Sequence, residues 1–137
     1  MTPEQKQLVQ DSFAQLAPSA DQAAAMFYER LFYLDPSIRS LFKNNMQVQG
    51  TKLMATIGTA VNGLDRLEQL MPGIEELGRR HITYGVKESD YDTVGIALIG
   101  TLERQLGNSF TPEVKEAWIT VYGILANSMK EGARAAA

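Results

Sequence analysis

The chain of 137 residues has no cysteine and only one histidine. Without cysteine there can be no disulfide, thiolate metal site, iron–sulfur cluster or cysteine nucleophile, and the reducing cytoplasm is the expected location. A single histidine cannot supply several ligands, so a transition-metal site made of protein side chains alone is disfavoured. A cofactor that brings its own ligands to the metal remains compatible with this composition.

Long apolar runs and an excess of basic charge are also missing. Thirteen Lys and Arg against sixteen Asp and Glu give a net charge of −3. This balance argues against binding to nucleic acid or to an anionic membrane surface. No segment reaches the length of a membrane span, and the polar N-terminal segment lacks the features of an export signal. We therefore expect neither nucleic acid nor a membrane as a partner.

The usual motifs of enzymes are absent too. There is no phosphate-cradling glycine loop, no HExxH sequence and no nucleophile elbow. Neighbouring acidic residues, such as Glu75 with Glu76, are interpreted as solvated helix ends rather than as catalytic carboxylates. Enzyme chemistry, if present, would have to come from a bound cofactor.

What the sequence does have is helical periodicity from end to end. Apolar residues recur at spacings of three and four, and no segment alternates convincingly with period two, so the predicted fold class is all-α. An apolar fraction of 45% suffices for one domain with a core. Seven or eight helices, two of them very short, suit oblique packing around an interior pocket better than a simple four-helix bundle.

Capping signals place most of the helix boundaries. Thr2, Pro3 and Gln5 predict a capping box, and Asp35 followed by Pro36 predicts a short helix. A long helix over about 46–62 contains glycines. Because each glycine inside a helix costs about 1 kcal/mol relative to alanine, we infer that something packs close to this backbone.

The second half of the chain is divided by further signals. Pro72 is predicted to start the helix that carries the histidine, and Ser89 or Asp90 to cap the next one. Thr111 and Pro112 open the last helix. The folded domain is predicted to span residues 1–131, with 132–137 as a disordered tail.

The only histidine, His81, lies in the segment LGRRHITYGV. In a helix, Ile74, Leu77, Gly78 and His81 share one face, so the imidazole points toward the core. A buried imidazole needs a partner, which is either a backbone carbonyl or a cofactor metal. Haem iron needs one axial side chain, an apolar slot and a distal pocket, and the surrounding helices favour this second reading.

Three segments stand in a specific order and spacing, and they read LFYLDPSIRSLF at 31–42, LGRRHITYGV at 77–86 and AWITVYG at 117–123. Together they resemble the globin superfamily, in particular single-domain bacterial haemoglobins that are similar to neuroglobin or to the globin domain of flavohaemoglobins. The resemblance covers nearly the whole chain and implies a globin fold, haem b as cofactor, and dioxygen, nitric oxide and carbon monoxide as ligands. No reductase half is expected, because it would need a much longer chain with a glycine-rich fingerprint.

The resemblance also implies residue roles. His81 would be the proximal iron ligand, and Phe42 would stack on the haem. Tyr28 and Gln49 would form the distal pair, with Leu53 lining the pocket. The Tyr28 hydroxyl and the Gln49 carboxamide can both donate hydrogen bonds to bound dioxygen. Each bond would contribute about 1.5–3 kcal/mol, which would make oxygen release slow. In the alternative reading Tyr28 only packs in the core and Gln49 faces solvent.

Other implied positions surround this centre. Lys52 and Arg80 are placed to pair with the haem propionates, or are solvated surface charges. The implied proximal pocket lining is Leu77, Val86 and Val94. Because the chain has no second histidine, bis-histidine ligation within one subunit is excluded, which departs from neuroglobin.

Tyr91 matches a tyrosine that supports the proximal histidine in flavohaemoglobins. Those proteins add a glutamate late in the final helix, whereas the matching position here is Ala133, and Glu131 is out of phase. The glutamate makes the imidazole more basic, so strong electron donation and peroxidase-like chemistry are not expected here.

Two functional classes follow. The first is tight, reversible dioxygen binding for storage, delivery or gas sensing. The second is a nitric oxide dioxygenase that depends on a separate reductase. A haem-free signalling module is disfavoured, because it would have little reason to keep His81, Phe42 and Tyr28 together.

Overall fold

The computed structural model describes residues 1–43 and 45–136, which contain six α-helices, four 3-10 helices and no strand. The α-helices are α1 (Pro3–Leu16), α2 (Ala20–Leu34), α3 (Met46–Asn62), α4 (Leu67–Thr83), α5 (Glu88–Leu106) and α6 (Pro112–Ala136). The 3-10 helices are Ala17–Ser19, Pro36–Leu41, Leu64–Arg66 and Gly107–Ser109. The all-α prediction is confirmed. No helix in the described ranges is long and apolar enough to cross a bilayer.

Several helix starts are those that the capping signals predict. Thr2 Oγ1 accepts from the Gln5 N–H at 3.1 Å, and the Thr2 N–H donates to Gln5 Oε1 at 3.0 Å. The Asp35 carboxylate accepts from the Ser37 N–H at 3.0 Å and begins the second 3-10 helix. Thr111 Oγ1 accepts from the Val114 N–H at 3.3 Å. In each case a short polar side chain satisfies an N–H group that the first turn leaves free.

Pro72 does not start a helix. It lies inside α4, which already begins at Leu67. Pro72 is the sixth residue of α4, so it lacks the N–H that would bond within the helix, yet the helix continues through it. The brief helical piece that the sequence predicts over residues 65–71 therefore merges with the helix of His81, which is one reason why the structure has fewer α-helices than the seven or eight expected.

The start of α5 also differs from the prediction. The cap is Lys87, and Asp90 occupies the third helical position, where its buried carboxylate accepts from the Lys87 N–H at 2.9 Å. This is one of the two hydrogen bonds of a capping box, in which the side chain at the third helical position accepts from the backbone N–H of the cap residue.

The prediction of a disordered tail is wrong for residues 132–136. Helix α6 continues to Ala136, and Gly132 is buried against the backbone of α4 at Glu75. The glycine and alanines of this segment are typical of a fraying helix end, whereas in the structure the small residue Gly132 allows α6 to pack closely against α4. Ala137 lies outside the described residues.

Two apolar clusters fill the interior. The first joins α1, α3, α5 and α6 around Trp118, whose Nε1 donates to Ser12 Oγ at 2.8 Å. The second lies between α2, the 3-10 helix Pro36–Leu41, α3 and α5, and is built on Phe27, Tyr28 and Leu31. The second cluster contains four of the residues that the sequence analysis assigns to a pocket, namely Tyr28, Phe42, Leu53 and Val94.

The glycines of α3 do lie where other elements approach closely. A Cβ at Gly50 would lie 3.0 Å from the Cβ of Ala24 on α2, and one at Gly58 would lie 3.4 Å from the Phe13 ring on α1. The inference of close packing against this backbone is confirmed at both positions. The α2–α3 approach also places Gln49, the neighbour of Gly50, beside the aromatic residues of α2.

Candidate functional site

His81 occupies the last turn of α4 and is half-buried. Its Nδ1 lies 2.7 Å from the Leu77 carbonyl oxygen. Because a carbonyl can only accept, Nδ1 carries the proton and donates, which leaves the lone pair on Nε2. The carbonyl thus satisfies one ring nitrogen only, and the other remains available as a metal ligand.

The surroundings of His81 favour its neutral form. Burial lowers the pKa of the imidazole below its ordinary value; the hydrogen bond to the Leu77 carbonyl opposes this, and the nearby Arg80 charge lowers the pKa further. The Val86 N–H donates to the His81 carbonyl at 3.0 Å and fixes the turn that follows. A neutral imidazole held at Nδ1 is the form in which histidine binds metals.

Four aromatic rings form a wall on α2 and the segment after it. The Tyr28 ring lies 5.1 Å from Phe27, 5.9 Å from Phe32 and 5.2 Å from Phe42, measured between centroids. Phe32 and Phe42 are 5.5 Å apart and meet edge to face. The half-buried Leu53 and Val94 pack against the same cluster. Together these side chains form one continuous apolar, aromatic surface, the kind of surface on which a flat aromatic ligand packs.

Tyr28 and Gln49 come together in this wall. The Tyr28 ring is buried, and burial raises the pKa of its hydroxyl to about 12, while the nearby Gln49 side chain acts in the opposite direction. Gln49 is half-buried rather than turned fully into solvent. At neutral pH the phenol is therefore protonated and can donate a hydrogen bond.

Tyr91 lies on the His81 side and carries an unpaired polar group. Its ring centroid is 6.4 Å from that of His81, and its buried hydroxyl has no hydrogen-bond partner among the described residues. Burial raises the pKa of this hydroxyl. The backbone of Tyr91 is held in place, because Tyr122 Oη donates a hydrogen bond to the Tyr91 carbonyl at 2.6 Å. Buried hydroxyls without partners are rare in folded proteins and indicate a missing neighbour.

The remaining predicted positions lie at the edge. Lys52 and Arg80 are exposed, and Arg80 Nε is 4.0 Å from a Glu76 carboxylate oxygen, a separation that contributes little on a surface. Their pairing with propionates stays a prediction. Leu77 and Val86 are half-buried and contact His81 through the backbone hydrogen bonds described above.

Several neighbours of the site were not assigned to it from the sequence. Phe32 lies one turn after Tyr28, and this spacing of four could have identified it. Arg39 covers the Phe32 ring at 5.2 Å and donates to the Phe42 carbonyl at 3.3 Å. Lys130 Nζ lies 5.6 Å from the centre of the Tyr91 ring. The Arg39–Phe32 and Lys130–Tyr91 contacts depend on tertiary packing and leave no local signal.

The donor set fits haem. The chain offers one neutral imidazole, an apolar aromatic surface and a buried hydroxyl that has no partner among the described residues. These groups suit a cofactor that supplies its own equatorial ligands. In the described residues no group of three or more His, Asp or Glu side chains could hold a bare metal ion.

A family model described as Globin matches residues 25–129. The chain belongs to the globin family. This globin is similar to the neuroglobin of Danio rerio, with 30% identity over 93% of this chain and 89% of the relative. Neuroglobin-1 of Oncorhynchus mykiss is 29% identical over 96% of this chain and 92% of the relative. Membership of the family implies haem binding and confirms the predicted globin fold.

A solved structure has the same fold. It is described as an engineered carbene transferase and putative nitric oxide dioxygenase from Rhodothermus marinus. It superposes on this globin with a TM-score of 0.89, covering 99% of this chain and 95% of the other, at 24% identity. At that identity the likeness shows the fold alone.

Proposed function

We propose that this globin binds haem b through His81 and holds dioxygen tightly beside Tyr28 and Gln49. The observation that carries the proposal is the buried, protonated Tyr28 hydroxyl with the Gln49 carboxamide next to it. Haem b is favoured over covalently attached haem, because the chain has no cysteine to form a thioether.

His81 and the aromatic wall would hold the cofactor from two sides. His81 would present Nε2, while the Leu77 carbonyl fixes the ring through Nδ1. Phe42, Leu53 and Val94 would supply apolar contacts from the cluster that contains Tyr28. Haem, when bound, would supply an iron that binds dioxygen, nitric oxide or carbon monoxide. Lys52 and Arg80 would pair with the propionates at the exposed edge.

On the distal side, Tyr28 and Gln49 act on the gas. The Tyr28 hydroxyl would donate a hydrogen bond to the bound gas, and Gln49 would orient that hydroxyl or donate a second bond. Hydrogen bonds to charged groups contribute about 1.5–3 kcal/mol each. Since about 1.4 kcal/mol corresponds to a factor of ten, one such bond slows release by about 10- to 100-fold.

Stopped-flow measurement of dioxygen dissociation tests this proposal. Tyr28→Phe keeps the ring packing and removes only the donor, so we expect dissociation about 10- to 100-fold faster than in the unaltered protein. Tyr33→Phe is the matched control on the same helix, because Tyr33 is 85% exposed. Fast dissociation in the unaltered protein, unaffected by Tyr28→Phe, would remove the distal argument.

A second candidate function is nitric oxide dioxygenase activity with a separate reductase. The same Tyr28–Gln49 pair favours it, since both activities need a stabilised, polarised dioxygen. The distinction lies in turnover: sustained nitrate formation with a cellular reductase would favour the enzyme. Reaction of a single equivalent of nitric oxide would not, because tight oxygen binding alone allows it.

A further inference from the structure

Helix α4, which carries His81, packs extensively against only one other α-helix in the described structure, and that helix is α6. Its other substantial contact is with the adjoining 3-10 helix Leu64–Arg66. The position of α4 relative to the pocket is therefore set mainly through α6.

Two glycines lie where these helices come closest. A Cβ at Gly78 on α4 would lie 2.6 Å from the Met129 carbonyl carbon, and one at Gly132 on α6 would lie 2.7 Å from the Glu75 carbonyl carbon. Real Cβ atoms essentially never come within 3.0 Å of such atoms. Because the opposing atoms are backbone, no side-chain rotation could make room. Each position can hold only glycine unless the helices move apart.

The two contacts are reciprocal. Glu75 and Gly78 lie three residues apart on α4, and Met129 and Gly132 lie three residues apart on α6. The helices thus cross antiparallel and touch at two points about one turn apart. The distance between two packed helices depends on the size of the side chains at their contact, so two glycines allow an unusually close approach.

Other glycines of the same helices do not share this role. An added Cβ would meet nothing within 4 Å at Gly73 on α4 or at Gly123 on α6. Glycine is unfavourable inside a helix, and at Gly78 and Gly132 the close backbone contact explains its use. Gly73 and Gly123 thus provide a matched control on each helix.

The contact lies in the turn that holds the imidazole. Gly78 is three residues before His81 and adjacent to Leu77, whose carbonyl accepts from His81 Nδ1 at 2.7 Å. Met129 therefore contacts the same turn of α4 that orients the ring. Beyond this turn, Ile82 and Tyr84 are 45% and 54% exposed, so the end of α4 is not clamped by burial of these side chains.

We propose that Gly78 and Gly132 are positioning residues for His81. By allowing α4 and α6 to meet backbone to backbone, they set how far Nε2 reaches into the pocket. A methyl group at either position would push α4 outward and carry the imidazole with it. This inference rests on the proposed function, in which His81 is the haem ligand.

The test compares Gly78→Ala and Gly132→Ala with Gly73→Ala and Gly123→Ala in the full chain loaded with haemin. One readout is the rate of haemin loss to a scavenger, and the other is the iron–histidine stretching frequency of the ferrous protein. We expect Gly78→Ala and Gly132→Ala to weaken haemin binding by about 10- to 100-fold, the range typical of residues that orient a metal ligand. Their stretching frequency should shift, whereas both controls should match the unaltered protein.

Folding is checked on the apoproteins by far-UV circular dichroism and by hydrogen exchange. Gly132 lies near the end of α6, away from the Trp118 core, so Gly132→Ala should fold even if Gly78→Ala does not. In Gly132→Ala the α4 amides should exchange faster than in Gly123→Ala, while the α1 amides stay unchanged.

The outcomes separate this inference from the proposed function. If Gly132→Ala has the same haemin loss, stretching frequency and α4 exchange as Gly123→Ala, the positioning role is overturned. If haemin uptake by the unaltered protein does not depend on His81, the proposed function fails instead. The α4 exchange of the apoproteins would still report whether the glycines hold the helix.

Discussion

The core around Trp118 and the candidate site around His81 and Tyr91 differ in how completely their polar groups are paired. Around Trp118 the core is closed: the indole N–H donates to Ser12 Oγ at 2.8 Å, and Trp118 is only 2% exposed. At the candidate site, the buried Tyr91 hydroxyl has no partner among the described residues, and the hydrogen bond of His81 to the Leu77 carbonyl uses Nδ1 alone. The core is complete in the protein alone, whereas we propose that the site is completed by haem.

Truncating one large side chain in each cluster gives the largest contrast. Trp118→Ala should destabilise the apoprotein by about 3–5 kcal/mol, because it opens a cavity in a closed core. Phe42→Ala should cost the apoprotein clearly less, since Phe42 is half-buried, but it should speed haemin loss. Urea unfolding and haemin transfer would measure both. An equal loss of apoprotein stability in the two variants would contradict the division into a closed and an open cluster.

Removing one hydroxyl from the Trp118 core and one from the candidate site should affect apoprotein stability differently. Ser12→Ala leaves the Trp118 N–H buried and unpaired, so it should destabilise the apoprotein by about 1–3 kcal/mol. Tyr91→Phe removes a group that is already unpaired, and should leave apoprotein stability unchanged or raise it by about 1 kcal/mol. Thermal unfolding monitored by circular dichroism would measure the stability change in both variants. A clear loss of stability in Tyr91→Phe would show that its hydroxyl is satisfied in the apoprotein.

The smallest effect concerns pH. The pKa of His81 in the folded chain is lowered, chiefly by burial, so the unfolded chain binds more protons as pH falls through the ordinary value of about 6.5. Its contribution to apoprotein stability is therefore fully present above that pH and is lost as pH falls toward the folded pKa. His81→Gln should flatten this part of the pH profile of unfolding. An unchanged slope between pH 7 and 5 would contradict the assigned burial.

The parts of the structure that follow local rules were predictable from the sequence. The capping box at Thr2, the break at Asp35 and the extent of α3 depend on residues close together in the chain. The candidate site could also be proposed from the sequence, because a lone histidine on an apolar face and the aromatic face of α2 need little tertiary information. Family resemblance supplied the fold and the cofactor.

What could not be predicted depends on contacts between distant segments. Gly132 looked like part of a fraying tail, because its contact with Glu75 joins residues far apart in sequence. Pro72 looked like a helix start, because local rules weigh its missing N–H more heavily than the packing of α4 on α6. The unpaired hydroxyl of Tyr91 could be recognised only once its neighbours were placed.

A haemin titration followed by absorption spectroscopy, comparing the unaltered protein with His81→Gly, shows directly whether His81 binds the iron. We expect the unaltered chain to take up haemin with a sharp Soret band and His81→Gly to lose or alter this spectrum, with recovery when free imidazole is added. A chain that fails to bind haemin, or a His81→Gly variant with an unchanged Soret spectrum, would contradict it.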